Sequence, residues 1–399
     1  MLRRHLEPEL IAAARKMPVV TLMGPRQSGK TTLVRGVFGS THQYVSLERP
    51  DVRARALEDP LSFLGRLSEG AILDEVQRAP DLLSYIQGVV DEDDRPGRFI
   101  LTGSHNLLLM ESVSQTLAGR TALLYLLPLS IHELAGREPP DLESLDAAPG
   151  RVEAAFDFGR WEIVWKGLYP RIHDQSLDPN HWYPDYFRTY VERDLRSVLR
   201  VADLTAFERF VQLVAARTGQ ELNYTSLASD AGISQPTAKS WLTALEVSFL
   251  VAILPPFYKS YRKRLRKNGK IHFLDTGLAC YLLGIRDPET LARHPLRGHL
   301  FESFVASELT KNFWNRRREP RLYHWRDATG HEIDLIIDLG DRQVPVEVKS
   351  GETIASDFIA GLEWWTSLAG NENESGVLVY GGLEADFRRK VAVRPWFLG

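Results

Sequence analysis

Residues Gly24 to Thr31 read GPRQSGKT, a complete G-x-x-x-x-G-K-[ST] pattern, set between the apolar run Val19–Leu22 and a helical pattern that begins near Gly29 and includes Leu33 and Val34. No other feature constrains the fold as much. A strand must feed directly into a helix through a glycine-bearing loop, as in a parallel α/β sheet. The glycines let the loop gather several backbone N–H groups around an anion, with a helix N-terminus behind them. Gly24, Pro25, Arg26, Gln27, Ser28, Gly29, Lys30, Thr31 and Thr32 are therefore expected to cradle a nucleoside triphosphate. Lys30 would reach the β- and γ-phosphates, and the Thr31 hydroxyl would hold Mg²⁺. The motif alone does not separate ATP from GTP.

The rest of the first third follows the same alternation. Strand-like runs recur at Tyr44–Leu47, Ala71–Leu73, Phe99–Leu101 and Ala122–Leu126, separated by helical stretches. The run Ala71–Leu73 ends in Asp74 and Glu75. Asp74 would act through water on the Mg²⁺ held by Thr31, and Glu75 would orient or deprotonate the attacking water. The next run ends in Leu101-Thr102-Gly103-Ser104. On a strand inserted between the cradle strand and the Asp-Glu strand, Thr102 or Ser104 could sense a γ-phosphate. Arg120, in Leu117-Ala118-Gly119-Arg120, is a candidate to stabilise charge on the transferring phosphoryl group, in cis or from a neighbouring subunit. A homo-oligomer is thus a candidate assembly.

At 399 residues the chain has room for two or three domains, and 44% hydrophobic with 25% charged residues suits a buried core of ordinary size. A formal net charge of -3 gives no global pull toward nucleic acid, so such affinity must come from local patches. Cys280 is the sole cysteine, which excludes an internal disulfide and a cysteine-based zinc site. The opening MLRRHLEPEL lacks the apolar core of a secretory signal, and no apolar run nears the ~20 residues that span a bilayer. A reducing cytoplasm is the expected location, with no membrane partner.

Beyond the first third, residues 136–150 (GREPPDLESLDAAPG) read as a Pro-, Gly- and acid-rich linker, followed by a helical, aromatic-rich stretch to about Arg217. Thr225 to Leu245, TSLASDAGISQPTAKSWLTAL, reads as two helices around Gly232, the second capped by Ser234. Ala238, Trp241, Leu242 and Leu245 give that helix an apolar stripe, leaving Gln235, Thr237, Lys239 and Ser240 facing outward toward a major groove. A basic run follows between strand-like Leu250–Leu254 and Ile271–Phe273. Its Lys259, Arg262, Lys263, Arg264, Arg266, Lys267 and Lys270 would contact DNA phosphates from a hairpin wing. Arg316, Arg317, Arg318 and Arg321 could extend that surface.

Near the C-terminus, Glu332–Ile337 and Val344–Lys349 flank a plausible Gly340–Asp341 hairpin turn. Counting outward from that turn sets Asp334 opposite Glu347, with Lys349 one same-face step along. Two facing carboxylates can share a divalent cation, and a nearby lysine can position water or stabilise a pentavalent phosphate. Glu302, early in an amphipathic helix, is a further ligand candidate. A structural alternative is a simple cross-strand contact such as Glu332 with Lys349.

Taken together, GPRQSGKT, ILDEVQ, LTGS and LAGR, then FLDTGLA, GHLFESFVASEL, EIDLII and VEVK, resemble a large bacterial and archaeal group of AAA-like ATPases. Its members carry a C-terminal domain of unknown function with a nuclease-like fold. The resemblance covers essentially the whole chain. It implies an α/β protein with an AAA-like P-loop ATPase domain over 1–135 and a linker and helical connection over 136–217. A winged-helix region over 218–285 and a restriction-endonuclease-like domain over 286–399 follow. It also implies ATP and Mg²⁺ as cofactors. By match, Gly24, Gly29, Lys30 and Thr31 take the nucleotide, Asp74 and Glu75 the metal and water, and Arg120 the Gly-Arg position. Glu302, Asp334, Glu347 and Lys349 match a PD-(D/E)xK pattern. The expected function is an Mg²⁺-dependent ATPase whose nucleotide state controls a DNA-contacting C-terminal half, with metal-dependent nuclease activity as its stronger form. The alternative is an ATP-dependent switch or scaffold that binds a protein partner and carries an inactive nuclease-like domain.

Overall fold

The computed structural model describes residues 2–104, 113, 115–149, 156–190, 203–258, 268–327, 329–368 and 375–398. The chain divides into two compact units. One comprises Met1–Leu129 with Val247–Phe249 and Phe313–Arg318, and the other the remaining residues from Ser130 to Gly399.

The first unit is built on a parallel sheet of β1 (Val19–Gly24), β2 (Gln43–Ser46), β3 (Ala71–Asp74), β4 (Phe99–Ser104) and β5 (Thr121–Tyr125), in the order β2-β3-β4-β1-β5. These strands read as near-continuous apolar runs because helices cover both faces of the sheet. The period of two sorts each strand between two cores. Val19, Met23, Leu73, Phe99 and Leu101 pack with Leu82, Leu83 and Ile86 of the helix Leu82–Glu92. Val20, Leu22, Ile72 and Ile100 pack with Leu10 of Glu7–Ala14 and with Leu33 and Val34 of Lys30–Phe38. As expected, β4 lies between the cradle strand β1 and the Asp-Glu strand β3. Trp314 packs against Tyr125, with ring centroids 5.1 Å apart, and Arg316–Arg318 fall in this unit while Arg321 falls in the other.

In the second unit, β6 (Gln220–Glu221), β7 (Val251–Leu254) and β8 (Lys270–Phe273) form an antiparallel sheet in the order β6-β8-β7. The helices Leu204–Ala216, Tyr224–Ala231 and Gln235–Val247 belong to the same stretch of chain. Gly232 ends the second helix at φ +73°, and the Ser234 hydroxyl accepts from Thr237 N at 3.2 Å to start the third. The aromatic stretch before these helices is a packed cluster. Tyr169, Tyr183 and Tyr186 are buried around Asp275, which accepts from Tyr183 Oη at 2.6 Å, Leu168 N at 2.8 Å and Leu278 N at 2.9 Å. The Asp275 and Gly277 of FLDTGLA are thus structural. A Cβ on Gly277 would stand 2.2 Å from the Tyr183 hydroxyl.

A six-stranded sheet completes this unit: β9 (Leu322–Arg326), β10 (Glu332–Asp338), β11 (Gln343–Lys349), β12 (Gly376–Tyr380), β13 (Asp386–Arg388) and β14 (Val391–Pro395), in the order β13-β14-β12-β11-β10-β9. β9, β10 and β11 are antiparallel neighbours, whereas β11, β12 and β14 run parallel. The β11-to-β12 crossover carries the helix Ala360–Ser367, whose Leu362 and Trp365 pack with Ile333, Ile336 and Leu378. Segment 136–149 is no free linker. Leu142 and Leu145 are buried, Arg342 pairs with Asp146, and Arg394 Nε donates to Leu145 O at 3.1 Å. Among the described residues, no helix is long and apolar enough to cross a membrane.

Candidate functional site

The cradle follows β1 directly. Gly24 has φ +155°, and a Cβ there would come 2.1 Å from Leu126 O, so only glycine fits. Gly29 caps the helix Lys30–Phe38 from φ +94°, and Gln27 also adopts positive φ, at 61°. Lys30 is only 5% exposed and donates to Gly24 O at 2.9 Å and Pro25 O at 2.7 Å. Burial lowers its pKa to about 8, a fall partly offset by the nearby carboxylates of Glu75 and Asp74.

Sheet order brings the other groups to this loop. At the end of β3, the Asp74 carboxylate accepts from Thr31 Oγ1 at 2.9 Å, from Tyr44 Oη at 2.7 Å and from the Thr102 hydroxyl. Glu75 sits at φ +59°, bonded by the Gln77 amide, with Ser104 Oγ 3.5 Å from each carboxylate oxygen. Thr102 therefore touches the Asp74 position and Ser104 faces Glu75. Burial and the bond to Asp74 push the Tyr44 hydroxyl up to about 12. The arrangement fits a triphosphate with Mg²⁺. Gly24 holds the loop close against Leu126 O where no Cβ fits, the Thr31–Asp74 pair is already formed, and Ser28 Oγ is buried in the loop without a hydrogen-bond partner.

Two residues depart from expectation. Arg120 pairs with Asp91 at 2.9 Å, and its carbonyl accepts from Val19 N at 3.2 Å at the start of the sheet. The cradle lies past the other end of β1, a strand length of roughly 17 Å away. In this arrangement Arg120 is held by Asp91 and does not reach the cradle of its own chain. Conversely, Arg4, in the charged opening of the chain, is buried and donates to Ser28 O at 2.6 Å and Leu127 O at 2.7 Å. It ties the loop at Ser28 to the chain that follows β5. No local pattern marks it, because its partners stand 24 and 123 residues away.

The C-terminal carboxylates do converge. β10 and β11 pair in the register set by a Gly340–Asp341 turn, with Leu335 opposite Val346 and Asp338 opposite Gln343. Next to that ladder, Asp334 Oδ2 accepts from Val348 N at 2.8 Å. Lys349 pairs with Glu347 and lies 3.9 Å from Asp334 Oδ2. The cation among these groups, however, belongs to the chain. Lys270, expected on a DNA-facing wing, is 3% exposed, and its Nζ lies 2.6 Å from Glu302 Oε1, 2.9 Å from Glu332 Oε1 and 3.7 Å from Asp334 Oδ1. Burial works against its charge, but Glu302, Asp334 and Glu332 outweigh that and raise its pKa. Burial, then the Asp334 charge, push Glu302 well above the usual carboxylate range and Glu347 to about 8. Among the described residues, no group of three or more His, Cys, Asp or Glu is arranged to hold a metal ion. Lys270 thus stands against Glu302 and Asp334, two of the three ligands expected for a cation. Lys259, Arg262, Lys263, Arg264, Arg266 and Lys267 lie outside the described residues.

Residues 16–135 match the family model described as AAA domain. Residues 159–289 and 297–396 match two domains of unknown function, DUF8612 and DUF4143. The chain is 33% identical over 354 residues to the uncharacterized proteins Rv2008c of Mycobacterium tuberculosis and Mb2031c of Mycobacterium bovis, covering 88% of this chain and 74% of each relative. Among solved structures, the Walker-type ATPase PABY2304 of Pyrococcus abyssi is 14% identical with a TM-score of 0.41, over 71% of this chain and 96% of that one. With a phosphate cradle, an Asp-Glu strand and a third strand between them in an AAA domain, this chain belongs to the family of the two mycobacterial proteins and carries an AAA-type ATPase domain at its amino end.

Proposed function

We propose that the chain binds ATP with Mg²⁺ in the cradle Gly24–Thr32, hydrolyses it, and uses nucleotide state to control a DNA-contacting C-terminal half. The observation that carries this reading is the Thr31–Asp74 hydrogen bond, made from the first turn of the helix Lys30–Phe38 to the end of β3, beside Glu75 and Ser104. Backbone N–H groups of the loop and the Lys30 ammonium bind the phosphates. Thr31 would hold Mg²⁺, with Asp74 acting on it through water, and the ion when bound would neutralise phosphate charge. The Glu75 carboxylate orients the attacking water and accepts its proton, while Ser104 and Thr102 lie where a terminal phosphate can be sensed. Arg120 contributes only from a second copy. Lys30→Ala should abolish nucleotide binding, and an unchanged affinity would overturn the site assignment.

The DNA half of the proposal rests on a winged-helix reading of 218–285. Its support is the helices Tyr224–Ala231 and Gln235–Val247, the β6-β8-β7 sheet, and the exposed Gln235, Lys239 and Ser240 on the second of these helices. DNA affinity should fall steeply with salt and drop when Lys263, Arg264 and Arg266 are neutralised. A second reading, an ATP-dependent switch that binds a protein partner, is favoured by the Lys270 ammonium seated among the C-terminal acids. Under it, neither effect on DNA is observed.

A further inference from the structure

We propose that Lys270 is the resident cation of the C-terminal carboxylate cluster: its ammonium takes the place a divalent ion would need among Glu302, Asp334 and Glu347, and removing its charge turns the cluster into a divalent-cation site. An ammonium carries three N–H donors and no acceptor. Three carboxylate oxygens, Glu302 Oε1, Glu332 Oε1 and Asp334 Oδ1, surround Lys270 Nζ at 2.6, 2.9 and 3.7 Å. The other Asp334 oxygen is also taken, by Val348 N at 2.8 Å and by Lys349 at 3.9 Å. A divalent ion needs such oxygens at about 2.0–2.6 Å. It cannot gather them while a like charge lies within contact distance of two of them. Two acceptors of the cluster, Glu302 Oε1 and Glu347 Oε2, are buried without a formed hydrogen bond, so Lys270 meets Glu302 Oε1 as an ion pair at 2.6 Å. Lys270 against Glu302, Glu332 and Asp334, with Lys349 against Glu347, leaves acids in excess of bases, so loss of Lys270 exposes a cluster that needs a cation. The lysine arrives on β8, beside His272, from a strand in the other sheet of this unit.

The test uses full-length, nucleotide-free protein carrying Asp74→Asn, which silences the ATPase cradle and keeps the outcome independent of the ATPase reading. Mn²⁺ titration is followed by the electron paramagnetic resonance signal of the free ion. With Lys270 intact, adding Asp334→Asn should leave Mn²⁺ binding unchanged. Lys270→Gln should gain one Mn²⁺ at least roughly tenfold tighter than any ion held by its parent. Its thermal midpoint should rise with Mn²⁺, and adding Asp334→Asn should remove both gains. The proposal is overturned if Lys270-intact protein binds an Mn²⁺ that Asp334→Asn abolishes, or if folded Lys270→Gln gains none. Should Lys270→Gln not fold, the Lys270-intact comparison still decides, because loss of an ion there refutes and unchanged binding supports.

Discussion

Raising the pH from 7.5 to 9.5 should weaken ATP binding roughly 25-fold, near 2 kcal/mol, if the protonated Lys30 is the form that binds. Burial brings the free lysine from 10.5 to about 8, with Glu75 and Asp74 pulling the other way. Once a triphosphate lies against it, the added negative charge holds the ammonium protonated. Below about pH 8 binding then needs no proton, and above it each binding event takes one up, so affinity falls as pH rises. At the ordinary value of 10.5 the same pH change would alter affinity by only about 10%. Isothermal titration calorimetry in buffers of different ionisation heat reads both the affinity and the proton uptake. Asp74→Asn removes a charge that supports the ammonium and should move the fall to lower pH. Lys30→Met should bind weakly and without this dependence. A flat wild-type affinity across the range, with no proton uptake above pH 8, refutes the reasoning.

Glu75→Gln, assayed well below pH 8 where Lys30 stays protonated, should keep ATP affinity while steady-state phosphate release falls roughly 10²–10⁴-fold, and a near-normal rate would remove Glu75 from the water-activating role. Arg4→Ala withdraws two charge-assisted bonds, one from the loop carbonyl of Ser28 and one from Leu127 O, and should cost about 2–4 kcal/mol in stability, with weaker ATP binding. Thermal melts with and without nucleotide check it, and an unchanged nucleotide-induced shift counts against the buttressing role. Asp275→Ala leaves Tyr183 Oη, Leu168 N and Leu278 N without their acceptor and should cost about 3 kcal/mol or more, read as a lowered denaturant midpoint of the second unit. Little change there would mean that water replaces the carboxylate.

Patterns confined to short stretches are legible in the sequence itself. The cradle, the apolar runs of the five parallel strands and the turn that registers β10 with β11 all stand at their expected places. Ser234 and Gly232 delimit helices as their chemistry requires. Composition misleads where it is the only signal. Segment 136–149 has linker-like residues, yet its few leucines are buried and its carbonyls are held by Arg342 and Arg394.

Sequence by itself determined that a strand-loop-helix phosphate cradle exists, that an Asp-Glu strand accompanies it, and that acids cluster on one C-terminal hairpin. Each depends on neighbours within a few positions, where backbone propensity and side-chain period act directly. Only tertiary structure decided that Arg4 clasps the loop, that Arg120 lies at the end of the sheet opposite the cradle, and that Lys270 sits among carboxylates instead of reaching for DNA. Those outcomes hang on which strand lies beside which. A charged side chain looks the same in the sequence whether it ends in water or opposite a buried partner, and only its final surroundings settle whether its charge is solvated or paired.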